Sequence, residues 1–107
     1  MMFGLRRPQI HPGEISLRQS FPNLTDDAFE VARFWVSQER SFVAVGYPEK
    51  WEPELLGSIL VESIHTAAVA YSARTGISEQ IALSRIFSGF DSERANLASE
   101  QSGMPNQ

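Results

Sequence analysis

A chain of 107 residues with a formal net charge of −4 and no cysteine has the size of one domain, and its composition excludes several classes of function. Disulfide frameworks, thiol catalysis and cysteine-based zinc sites are ruled out. The acidic balance argues against a nucleic-acid binder driven by phosphate contacts.

Residues 1–27 contain Pro8, Pro12, Pro22 and Gly13 among isolated hydrophobes without sustained period, and they read as an extended N-terminal arm. Met1 to Arg7 carries charge with no apolar run behind it, so it does not read as a signal peptide, and a cytoplasmic location is expected. Residues 97–107 read as a flexible polar tail. The remainder, 28–96, is expected to be a single α+β domain near the size at which one core is marginal.

Phe29 to Val36 and Phe42 to Tyr47 are rich in aromatic and β-branched residues and read as strands. Ser37-Gln38-Glu39-Arg40 between them suits a four-residue hairpin loop. If Val36 pairs with Ser41, then Ala32, Phe34, Val36, Val43, Val45 and Tyr47 share one face. Val31, Arg33, Trp35, Phe42 and Ala44 share the other. Both faces are apolar, and a two-stranded hairpin alone is barely stable in water. One face is expected to pack on a helix, and the other face or an open edge to meet a second copy.

Pro48-Glu49-Lys50-Trp51 is a crossover, with Trp51 a core plug beside the start of a helix from Glu54 to Thr75. Pro53 and the acids Glu52 and Glu54 suit its positive end, and Gly76 supplies a left-handed cap. Leu56, Leu60, Ile64, Ala67 and Tyr71 form the expected core stripe. The opposite stripe, Ser58, Glu62, Thr66, Val69 and Ala73, is small and mildly polar where a solvated helix back carries long charged residues. It reads as an oligomer interface. Glu62, His65 and several hydroxyls make the helix too polar to span a bilayer comfortably, so no membrane is expected. Ser78 then caps a shorter helix from Glu79 to about Phe90, with Ile81, Ile86, Phe87 and Phe90 inward. The order is β-β-α-α, with the sheet completed or covered in a homo-oligomer.

Candidate chemistry is sparse. Arg33 lies beside Trp35 and Phe42, and a guanidinium flanked by aromatics can clamp a carboxylate or phosphate. The alternative is that Arg33 stacks on an aromatic and pairs with a glutamate across an interface. Glu62 and His65 have the E-x-x-H spacing of carboxylate-bridged metal proteins, and a homodimer would double the pair. A surface hydrogen bond is the competing explanation, and no cofactor is expected. Thr75 to Ser78 resembles a helix-turn-helix turn, but the second helix exposes only Arg85 as a cation, too few for DNA. No G-x-S-x-G elbow or glycine-rich phosphate loop is present.

Ala32-Arg33-Phe34-Trp35-Val36, the Pro53 to Tyr71 helix with Gly57, and Gly89-Phe90-Asp91-Ser92-Glu93 with Asn96 resemble, as an ordered set, a small family of uncharacterised bacterial proteins known only as a domain of unknown function. The resemblance covers about residues 28–96 and implies no activity. In the family pattern an aromatic often precedes the glycine, where this chain has Leu56. A histidine often stands at the place of Thr66, with Arg before it where this chain has His65. The resemblance therefore assigns no role to His65. The expected function is a non-enzymatic homo-oligomeric interaction or accessory module, with itself and another protein as partners. The alternative is a small-ligand or anion binder, or weak enzyme, using Arg33, Glu62 and His65.

Overall fold

The structure is a computed structural model that describes residues 11–102. The first part of the expected arm, 1–10, with the signal-peptide reading, and the end of the expected tail, 103–107, lie outside the described residues. The order is α1 (Leu17–Ser20), β1 (Ala32–Ser37), β2 (Arg40–Val45), a 3₁₀ turn (Pro48–Lys50), α2 (Pro53–Thr75) and α3 (Glu79–Ser102). The chain divides into two compact units, with the boundary after Gly46.

In the first unit, β1 and β2 form an antiparallel two-stranded sheet with Val36 opposite Ser41, the register that the alternation of side chains predicts. The pairing continues to Ser37 opposite Arg40, so the expected four-residue loop is a two-residue turn, Gln38-Glu39. Both turn residues have positive φ, 53° and 64°, as a type I′ turn requires to match the twist of its strands. Neither is glycine or asparagine, so each pays about 1 kcal/mol for a left-handed backbone. At the other end of β2, the Gly46 amide donates to the carbonyl of Val31 at 3.0 Å. A Cβ on Gly46 would lie 2.8 Å from the Glu30 carbonyl oxygen, so only glycine permits this approach. The arm is less extended than expected. It holds the one-turn α1, whose Ser16 hydroxyl accepts from the Gln19 amide at 3.2 Å.

In the second unit, α2 begins at Pro53 and ends at Gly76, whose φ of 84° and amide bond to the Ser72 carbonyl at 3.0 Å make the left-handed cap. The Ser78 hydroxyl accepts from the Ile81 amide at 3.0 Å and starts α3 after a short turn, folding α3 back on α2. Among the described residues, the buried side chains are Ala68 and Ala82, at 3% and 2% exposure. Leu56, Leu60, Ile64 and Ala67 are half-buried as expected, but Tyr71 is 54% exposed. On α3, Ile86 and Phe87 face inward together with Ala82 and Leu83, whereas Ile81 and Phe90 are exposed. Turning α3 at 100° per residue places Ala82, Leu83, Ile86 and Phe87 on one arc and Ile81 outside it; Phe90 continues the arc and is nonetheless 46% exposed.

The expected shorter helix, ending near Phe90 and followed by a tail from 97, is corrected. α3 runs 24 residues to Ser102. Burial ends at Phe87 and the apolar positions thin out after Phe90, but Glu93, Arg94, Ala95, Leu97, Ala98, Glu100 and Gln101 are good helix formers, and no proline interrupts them. Every residue from 88 to 101 is exposed. A second correction concerns α2, which by length and composition is apolar enough to cross a membrane. Its charges are limited to Glu54, Glu62 and Arg74, and the Ser63 and Thr75 hydroxyls donate to the helix's own carbonyls, both at 2.7 Å. α2 packs on α3, yet only 11% of its apolar window is buried.

Replacing Gln38-Glu39 by Asn-Gly is expected to stabilise the hairpin by about 1 kcal/mol, read as a raised urea midpoint at constant slope. An unchanged or lowered midpoint contradicts the I′ assignment.

Candidate functional site

Alternation places Arg33, Trp35, Phe42 and Ala44 on one face of the hairpin, with Trp35 directly opposite Phe42. The arm returns over this face. A turn closed by the Glu14 amide on the His11 carbonyl, at 2.9 Å, sets the His11 ring edge-on to Trp35. The ring centroids are 4.8 Å apart and the planes meet at 77°. The Gly13 amide donates to His11 Nδ1 at 2.9 Å, fixing the ring. Gly13 itself lies over Trp35, since a Cβ there would be 3.8 Å from the Trp35 ring.

Arg33 is engaged within the chain. Its Nε donates to Glu30 Oε2 at 3.0 Å and its Nη2 to Glu30 Oε1 at 2.7 Å, a bidentate fork. Glu14 stands 3.9 Å from Nη1. The guanidinium is raised above its ordinary value, first by the hydrogen bonds to Glu30 and then by the charge of Glu30. Glu14 adds a smaller electrostatic contribution, and desolvation opposes both. The structure thus brings Arg33, Trp35 and Phe42 together on one face, as expected, and fills the fork with a carboxylate of the same unit. Phe42 is 50% exposed, with the Arg40 guanidinium 6.0 Å above its ring.

On α2, Glu62 and His65 occupy successive turns on an exposed side. The His65 ring lies edge-on to Phe87 of α3, with centroids 6.3 Å apart. No three His, Cys, Asp or Glu side chains converge as a metal shell among the described residues. Ile59, Val61, Glu62, Ser63, His65 and Thr66 line a depression of about 570 Å³, open to solvent, so the two candidates Glu62 and His65 share it. The stripe of Ser58, Glu62, Thr66, Val69 and Ala73 is exposed along its length. Sequence reasoning missed His11, Glu14 and Glu30. The Glu30-x-x-Arg33 charge spacing could have signalled the ion pair, whereas nothing in the arm's pattern marks His11 as the partner of Trp35.

The fold and this face define a small α+β protein built from a hairpin and a helix pair. The chain belongs to the family described as a domain of unknown function, DUF5076, whose model matches residues 22–97. It is also similar to a solved chain from the photosynthetic bacterium Rhodopseudomonas palustrus, provisionally described as a pyruvate dehydrogenase. That chain is 28% identical, with a TM-score of 0.57, and the match spans 81% of this chain and 99% of that one. Functionally curated proteins yield no significant match.

Removing the His11 ring tests how the arm is held. In a Trp51→Phe background, His11→Ala is expected to shift Trp35 emission to longer wavelength and to lower stability by about 0.5–1 kcal/mol. An unchanged emission spectrum contradicts the docking.

Proposed function

We propose that the chain is a non-enzymatic interaction or accessory module that works as a homodimer or higher assembly. The observation that supports this most strongly is the exposure of its large apolar side chains. Phe34, Val36, Val43 and Val45 on the hairpin are 50–77% exposed, and Leu55, Val61 and Val69 on α2 are 49–51% exposed. The described residues bury two alanines. Each well-covered Val, Leu or Phe contributes about 1.5–3 kcal/mol, so a second copy offers a gain that this chain leaves unused.

Two features favour a module over a catalyst. Arg33, the best-placed anion ligand, is held bidentately by Glu30. The depression beside Glu62 and Thr66 is open to solvent, whereas ligand sites are concave and enclose their ligand. The dehydrogenase description of the similar chain supplies a probe, pyruvate, that separates the two classes.

Light scattering on the eluting protein at low micromolar concentration should show a dimer or larger species. A stable monomer contradicts the proposal. Alongside it, a thermal-shift series with pyruvate, nucleotides and divalent metals is expected to leave the melting temperature unchanged, and a saturable rise with any of them would move the reading to a ligand-binding protein.

A further inference from the structure

One face of the hairpin is covered by its own unit over Trp35, with Phe42 beside it still 50% exposed, and the other face is open; the two differ in chemistry. The covered face carries Arg33 and Trp35 beneath His11, Gly13 and Glu14. The open face is formed by Ala32, Phe34 and Val36 of β1 with Ser41, Val43 and Val45 of β2. Phe34 is 59% exposed, Val36 77%, Val43 63% and Val45 50%. None of the six residues carries a charge.

We infer that this open face is the surface on which two copies of the chain meet, hairpin against hairpin, across a two-fold axis. The inference rests on the self-association proposed above and names its surface. Three physical arguments select a second copy as the occupant. First, a two-fold contact sets each patch against itself, so any charge on it would be brought near its own image. An uncharged patch escapes that repulsion, and a partner of opposite charge would find nothing here to pair with.

Second, the exposed parts of the four large side chains amount to roughly 400 Å² of apolar surface per copy. Two copies supply about 800 Å², and since apolar atoms make up about 65% of a homodimer interface, the whole contact reaches about 1,200 Å². That is the lower end of stable, specific association. Third, the surface is a pleated strand pair rather than a cavity, which suits another sheet stacked about 10 Å away and not a small molecule. The result is a four-stranded sandwich in which each hairpin has an arm on its outside and its copy on its inside.

The test uses the full-length chain and two variants, Phe34→Glu and Phe34→Lys. Because Phe34 is exposed in the single chain, neither substitution disturbs a packed interior, and circular dichroism, with Trp35 emission read in a Trp51→Phe background, reports that the unit remains folded. Each variant alone is expected to dissociate more than about a hundred-fold more readily than the parent, since the contact would bury like charges. Mixed in equal amounts, the two should form a heterodimer. If the parent self-associates and both variants do so equally well, the hairpin face is not the contact, while the homo-oligomeric reading stands. Variants that remain monomeric when mixed overturn the two-fold arrangement. A parent that is monomeric and associates only when residues 2–10 are deleted identifies the chain's own N-terminal segment as the occupant and also overturns the inference. A parent that is monomeric throughout removes both the inference and the reading beneath it.

Discussion

A two-stranded sheet has two faces, and this chain supplies cover for part of one of them, around Trp35. His11, Gly13 and Glu14 lie over Trp35 and Arg33, while Phe34, Val36, Val43 and Val45 on the reverse are exposed. A hairpin is stable in water only when a further layer covers its apolar surface. The missing second layer is the constraint on which the rest of the molecule depends. A chain with a net charge of −4 thus presents a folded surface rich in valine and phenylalanine. The same constraint assigns the arm a structural task, because the ion pair and the ring contact that anchor it lie on the face that carries the charge.

The helical unit obeys the same limit. α2 and α3 pack on one another, but the side chains buried in the unit are Ala68 and Ala82, small residues that contribute little area, while Leu60, Ile64, Ile86 and Phe87 are half-buried. Beyond Phe87, α3 continues as exposed helix through Phe90 and Leu97. A helix that persists without a packed face is held by propensity and by its neighbours in sequence, and such helices gain most from a partner. Both units are therefore short of interior in the same sense.

Much of the fold was legible because it is governed by local rules. The period of two from Ala32 to Val36, set against Val43 to Val45, was enough to define the register, even though the turn proved shorter than a reader of loop chemistry would choose. Gln38 and Glu39 are poor residues for a left-handed turn, so their sequence gave no warning of it. Pro53, Gly76 and Ser78 bounded the helices because each satisfies or omits a specific terminal hydrogen bond. The end of α3 was missed for the opposite reason: apolar positions thin out after Phe90, while helix propensity does not. Of the candidate site, the shared face of Arg33, Trp35 and Phe42 followed from alternation alone. What occupies that face did not, because the contacts from His11 and Glu14 cross 19 residues or more of arm and turn, where no periodicity connects them.

If covering the hairpin by a second copy is part of folding, stability and association are one equilibrium, and the melting temperature must depend on protein concentration. Thermal unfolding followed by circular dichroism over a concentration range of about a hundred-fold measures this directly. The account requires the midpoint to rise by several degrees from the most dilute to the most concentrated sample. A reversible midpoint that stays constant over the whole range would show that one chain folds alone, and would contradict it.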